Sequence, residues 1–114
     1  MNDCIFCKIA NKEIETKILY EDEQFIAFED VNKQAPVHFL IIPKKHIETL
    51  NDVSDSENIF AQKILSIIKK TAGQTGVAET GYRIVINCNR DAGQEVLHLH
   101  IHVLGGRTFS WPPG

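Results

Sequence analysis

The sequence predicts an α+β fold: a mainly antiparallel five-stranded sheet with one long helix packed on it, plus a short N-terminal helix. Two observations predict it. Several short stretches alternate apolar and polar residues or run continuously apolar, and only residues 54–71 carry a clear helical period. The resulting order, β-β-β-α-β-β, favours hairpins over right-handed βαβ crossovers.

Each element has a local reason. Residues 3–11 form a short helical turn with Ile5, Phe6 and Ile9 on one side. Residues 17–21 and 24–29 are strands around the polar turn Glu21-Asp22-Glu23. Residues 37–42 are a strongly apolar strand stopped by Pro43. In the helix, Ser54 and Glu57 fit a capping box. Ile59, Phe60, Ile64, Leu65, Ile67, Ile68 and Ala72 give a broad apolar stripe, and Gly73 stands where a C-terminal cap is expected. Residues 81–87 are a strand, followed by the polar loop CNRDAGQ.

The last strand, HLHIHVLGG at 98–106, is the most informative stretch. His98, His100 and His102 alternate with apolar residues and share one face. Leu97, Leu99, Ile101 and Val103 take the other face, as core. At ~3.3 Å per residue, neighbouring histidines stand roughly 6–7 Å apart and the outer two about 13 Å, so one metal ion does not easily collect all three.

Composition narrows the function classes. The chain has 114 residues and a net charge of −3, and is expected to form one domain over 1–114. Lysine and arginine do not cluster, which argues against a nucleic-acid polymer or a membrane surface as partner. No apolar run approaches the ~20 residues of a membrane span. The start, MNDCIFCKIA, lacks a secretory pattern, so the expected location is the cytoplasm. Three cysteines, an odd number, read there as thiols or metal ligands.

Three groups of residues carry candidate chemistry. Cys4-x-x-Cys7 is open to a redox role, to two small buried residues, or to half of a tetrahedral zinc site completed by His46 and one member of the triplet. The loop NCNRDAGQEV, with Gly93 free to take unusual dihedrals, sets backbone N–H groups beside imidazoles and suits a phosphate. Asp30, at a strand end, is either a turn residue or an acceptor for a vicinal diol, as in ribose sites.

The segment His98-Leu99-His100-Ile101-His102-Val103-Leu104 resembles the signature of the histidine-triad (HIT) superfamily, His-φ-His-φ-His-φ-φ with φ apolar. CIFCKI, FED at 28–30, QAPVHFLIIPKKHI at 34–47, GGR at 105–107 and WPPG at 111–114 extend the resemblance over nearly the whole chain. It is closest to the Hint branch, the purine nucleoside phosphoramidases, and so implies a HIT-like fold.

The resemblance implies roles for particular residues. His100 matches the nucleophile that attacks the α-phosphorus of a nucleoside 5′-phosphoramidate and forms a covalent nucleotidyl-histidine, which water hydrolyses. His102 matches the histidine that contacts the phosphate and helps the leaving group. His38 matches a histidine supporting the nucleophile. Asp30 and Val31 match the ribose site, and Ile5, Phe6, Ile9 and Phe28 the base pocket. Asn87, Gly93, Gln94, Glu95 and Val96 match the phosphate loop. Cys4, Cys7, His46 and His98 match the ligands of a structural zinc. The branch forms homodimers whose C-terminal tail reaches toward the neighbour's nucleotide site, which places Trp111 there. Some relatives carry a small hydroxyl residue where Glu95 stands, and a carboxylate beside a phosphate is mildly repulsive. Other functions compatible with the same residues are a dinucleoside polyphosphate hydrolase, a nucleotide-binding regulatory module with vestigial activity, and a zinc-binding structural protein.

Overall fold

The computed structural model describes residues 3–56 and 58–114. In chain order the elements are helix α1 (Ile5–Ala10), strands β1 (Ile18–Glu21), β2 (Phe25–Glu29) and β3 (Val37–Pro43), helix α2 (Asn58–Gln74), and strands β4 (Tyr82–Val85) and β5 (Ile101–Gly105). The sheet runs β1-β2-β3-β5-β4 with every neighbouring pair antiparallel. The α+β expectation therefore holds, with five strands, one long helix and one short one. Among the described residues, no helix is long and apolar enough to cross a membrane.

The central strands are buried on both faces, so β2 and β3 are apolar at nearly every position. Phe25, Ala27, Phe39, Ile41, Ile101 and Val103 point one way, onto Phe60, Ile67 and Ile68 of α2. Phe25 and Phe60 form the aromatic contact of this layer, with ring centroids 4.6 Å apart. Ile26, Phe28, Leu40 and Ile42 point the other way, onto Phe6, Ile9 and Ala10 of α1. The second layer is thin because α1 is short. It leaves the rest of that sheet face for the histidines.

Several boundaries and burial assignments differ from the sequence reading. Helix α2 runs from Asn58 to Gln74, not over 54–71. The capping pair Ser54–Glu57 includes a residue outside the described ones, as does the side chain of Ile59. Gly73 lies inside the helix. The C-terminal cap is Gly76, with φ +80°, where Gly76 N–H bonds Gly73 C=O and Val77 N–H bonds Ala72 C=O. Leu65 is 61% exposed, so the apolar stripe is wider than the sheet covers. Leu97, expected in the core, is 52% exposed. Pro43 ends β3 inside the ladder, opposite Phe25, where its missing N–H is tolerated at a strand end.

The histidine segment is only partly a strand. His98 and His100 precede β5, and pairing with β3 covers Ile101 to Gly105. Before that, Leu99 N–H bonds the Ile47 carbonyl at 2.6 Å. The side chains still alternate. Leu99, Ile101 and Val103 enter the α2 core, and His98 and His100 are buried on the other side.

Candidate functional site

A cavity of about 510 Å³ opens on the α1 side of the sheet. Its apolar end is Ile5, Phe6 and Ile9 from α1 with Ile14, Phe28, Leu40 and Val96. Its polar end is Asp30, His38, Asn87, Gly93, Glu95, His100 and His102. Val31, 97% exposed, lies on its rim. Each element places its share for a plain reason. The period of β3 puts His38 and Leu40 on the same face as His102 of the neighbouring strand. Helix α1 packs Phe6 edge-on to Phe28 and to the His100 ring, with centroids 5.7 and 5.1 Å away.

The tautomers of the cavity histidines follow from their backbone contacts. His100 Nδ1 lies 2.7 Å from the His98 carbonyl, so Nδ1 carries the proton and donates it. The lone pair of the neutral ring is then on Nε2. His38 is held in the opposite sense. The Gln34 backbone N–H donates to His38 Nδ1 at 3.0 Å, so the His38 proton is on Nε2. That N–H faces His102 Nδ1 at 2.9 Å and Asp30 Oδ2 at 3.3 Å. The short nitrogen–nitrogen contact admits one proton only, and it belongs to His38. His102 therefore accepts at Nδ1 and carries its own proton on Nε2. His100 and His102 thus present opposite faces to the same cavity, an acceptor nitrogen and a donor nitrogen, with ring centroids 5.1 Å apart.

Both supporting rings stay neutral at pH 7. Burial lowers the pKa of His38, opposed by the Asp30 carboxylate. Burial, reinforced by His100 and His38, pushes that of His102 down to about 4. The hydrogen bond of His38 runs to His102 and not to His100, so its support reaches the nucleophile candidate only through a neighbour.

A second cluster lies behind the cavity. Ligand atoms of Cys4, Cys7, His46 and His98 all fall within 4.8 Å of one another. Cys7 Sγ is 3.2 Å from His46 Nδ1 and 3.4 Å from His98 Nδ1; Cys4 Sγ is 3.3 Å from His98 Nδ1. The two Nδ1 atoms are 3.2 Å apart. A tetrahedral zinc with ligands at ~2.0–2.3 Å needs donor–donor edges of about 3.3–3.8 Å, close to this set. The donor chemistry also fits. His98 donates Nε2–H to the Pro43 carbonyl at 2.8 Å, which leaves its Nδ1 lone pair aimed at the cluster. Two thiols and two imidazoles that converge in this way suit a shared cation better than one another. Asp30, His38 and His102 also come within 4.8 Å. There the Gln34 N–H holds the lone pair of His38 away from the group, so these residues fit a hydrogen-bond relay and not a metal.

Most candidate residues from the sequence meet in these two places. Two do not face the cavity. The Gln94 side chain braces the loop, donating to the Glu48 and Val96 carbonyls and accepting from Asn89 N–H. Trp111 is 81% exposed and lies outside the cavity of its own chain. Residues not singled out from sequence are Gln34, which fixes His38, and Ile14, Glu15, Thr16, Glu29, Asn32 and Leu40 in the lining. The period shared with His38 was a usable signal for Leu40. The segment 14–16 follows a short helix and carries no such signal.

Known proteins share this architecture. Residues 11–109 match the model of the HIT domain family. An uncharacterised HIT-like protein of Synechocystis is 46% identical over 98% of this chain and 97% of its own length. The crystal structure of a HIT family hydrolase from Legionella pneumophila superposes with a TM-score of 0.94 at 52% identity, covering 98% of this chain and all of that one. A histidine triad nucleotide-binding protein from Candida albicans superposes with a TM-score of 0.82 at 33% identity, covering 96% of this chain and 83% of that one. The protein is a member of the HIT domain family.

Proposed function

We propose that this chain is a nucleotide-binding hydrolase of the Hint branch that cleaves the P–N bond of purine nucleoside 5′-phosphoramidates. The carrying observation is the pair of opposed tautomers. His100 Nδ1 is bound to the His98 carbonyl, so Nε2 is the nitrogen left to attack. His102 offers Nε2–H beside it. The solved relatives named a HIT family hydrolase and a histidine triad nucleotide-binding protein support both halves of the reading.

In this reading the base lies among Ile5, Phe6, Ile9 and Phe28, and Asp30 accepts from the ribose hydroxyls beside Val31. The phosphate meets the loop of Asn87, Gly93, Gln94, Glu95 and Val96; Gly93 N–H and Gln94 N–H donate to the Arg90 and Asn89 carbonyls and shape the loop, and the N–H groups of Glu95 and Val96 are the donors to the phosphate in this reading. His100 Nε2 attacks the α-phosphorus, the P–N bond breaks, and a nucleotidyl-imidazole forms. His102 Nε2–H hydrogen-bonds the phosphoryl group as charge shifts toward the leaving nitrogen. Water then attacks the same phosphorus, releasing the nucleoside monophosphate and restoring the imidazole. The leaving nitrogen takes a proton from solvent as the P–N bond breaks, and the water that attacks in the second step releases one, so the cycle closes.

The cavity lining favours this substrate over a dinucleoside polyphosphate. Glu15, Glu29, Asp30 and Glu95 line it, and no lysine or arginine does among the described residues. Lys17 and Lys33 are paired with Glu29. A highly charged polyphosphate would face carboxylates without a cation to meet it.

Zinc at Cys4, Cys7, His46 and His98 is part of the proposal, as a structural ion that ties α1 to the histidine segment. It supplies cross-linking and no chemistry of the reaction. The chain acts as one domain in the cytoplasm and as a homodimer. The exposed apolar residues Leu65 on α2, Ile84 on the edge strand β4, Ile86 and Leu97 support the dimer.

Acid-quenched reaction with adenosine 5′-phosphoramidate, followed by peptide mass spectrometry, tests the reaction. An adenylyl adduct on His100 is expected, absent in His100→Ala. Turnover without any adduct, or an adduct on another residue, overturns the assignment. Parallel assays with diadenosine polyphosphates should give the slower rate.

A further inference from the structure

After β5 the chain returns to the loop that carries Gln34, through residues the proposed reaction does not use. A side chain at Gly106 would meet Pro36 Cβ at 2.9 Å, and the φ of +90° there suits glycine. This close approach seats the turn on the loop before β3 and delivers Arg107 to Gln34. The Gln34 carbonyl accepts from Arg107 Nε at 3.2 Å and from Nη2 at 3.1 Å. The guanidinium is held from the other side as well. It lies 4.2 Å from the centroid of the Phe109 ring, which Arg83 also contacts at 5.1 Å. Arg83 Nη1 in turn donates to the Ser110 carbonyl at 3.1 Å. The other backbone group of Gln34, its N–H, is the donor that claims His38 Nδ1.

The structure assigns Arg107 a positioning role: by clamping Gln34 it fixes the proton of His38 on Nε2, and through His38 the proton of His102 on Nε2 at the cavity. The reason is elementary. A neutral imidazole has one proton and two sites for it. With the Gln34 N–H in place, a proton on His38 Nδ1 would collide with it. If Gln34 shifts, the His38–His102 pair can reverse: His38 protonated on Nδ1, and His102 donating Nδ1–H back to His38 Nε2. His102 would then turn a lone pair toward the phosphoryl oxygens and repel them. The two arrangements have the same number of hydrogen bonds within the pair; the Gln34 N–H on one nitrogen and the Asp30 carboxylate 3.3 Å from the other both favour the observed one, and the first of these is the contact that Arg107 holds. A planar two-donor fork suits this task, because it fixes the carbonyl in direction as well as distance.

The inference takes its catalytic meaning from the proposed reaction, yet its test does not depend on that reaction. Imidazole ¹⁵N shifts distinguish protonated from lone-pair nitrogens in the ligand-free protein. In the native protein near neutral pH, His38 and His102 are both expected as pure Nε2–H tautomers. Arg107→Ala and, independently, Gly106→Ala are expected to move both rings toward averaged values, and Arg107→Lys to restore the native pattern only in part. In Arg107→Ala, kcat for the phosphoramidate should fall about tenfold, with the affinity for the nucleoside monophosphate changed less than about twofold. Native ¹⁵N patterns in both alanine variants, each folded by circular dichroism, would overturn the positioning role and leave the proposed reaction standing. Shifted tautomers in a protein that never cleaves the phosphoramidate would uphold the role and remove the reaction.

Discussion

His98 and His38 are both buried, both bonded to backbone, and both placed within reach of other ligand-type groups. Their partners differ in one respect. The Pro43 carbonyl takes the proton of His98 on Nε2, leaving a lone pair toward two thiols and a second imidazole. The Gln34 N–H takes the lone pair of His38 on Nδ1, leaving a proton toward His102 and Asp30. An acceptor leaves one ring fit to ligate a metal, and a donor leaves the other fit for a hydrogen-bond relay. Residue type and proximity do not separate these outcomes; the polarity of one backbone contact does. His100 lies between the two groups, with its Nδ1 on the carbonyl of a cluster residue and its ring against the relay.

The largest expected effect separates the groups by activity. His102→Ala should lower kcat for the phosphoramidate by about a hundredfold, since it removes the donor beside the proposed nucleophile. Metal content measured by emission spectroscopy should be unchanged. A loss of metal in this variant would show that the clusters are not independent.

Next is the converse. Cys7→Ser should lose the proposed zinc and lower Tm by about 5–10 °C, because a ligand held only by the folded state stabilises it. Scanning calorimetry with and without a chelator checks this. A native protein whose Tm ignores the chelator would show that the four residues hold no structural ion.

The relay should also be visible in pH dependence. His38 and His102 are held below the ordinary 6.5, His102 at about 4, so the unfolded chain binds more protons than the folded one between those values. The contribution of His102 is present in full above the unfolded pKa and is lost as pH falls toward about 4; that of His38 runs in the same direction. Urea unfolding at several pH values should show this loss, and His102→Gln should make it shallower. Equal slopes in the two proteins would remove His102 from the account.

The smallest effect concerns the cavity mouth. Glu95→Ser should raise kcat/KM about twofold by removing a carboxylate near the phosphate, a weak term because the side chain is exposed to solvent. A tenfold fall would give Glu95 a role that the lining geometry does not suggest.

The sequence alone determined the parts that depend on local pattern. Alternation and short apolar runs located the strands, the 3.6-residue period located α2, and Cys4-x-x-Cys7 with the triplet named the chemistry-bearing residues. It misjudged the places where neighbours decide. Leu65 and Leu97 have the pattern of core residues, but among the described residues no element covers them and both are exposed. His98 and His100 alternate like strand residues, but the β3 ladder reaches back only to Ile101. Gly73 looked like a helix end, yet the helix continues to Gln74 and the cap falls on Gly76.

Only the tertiary structure could sort the histidines into two tasks. Each ring has two nitrogens, and the one that keeps the proton is set by backbone groups far away in sequence: His98 by Pro43, and His38 by a loop that Arg107 clamps. A sequence specifies that an imidazole is present. Which of its nitrogens gives and which receives depends on the dipole that folding brings against it.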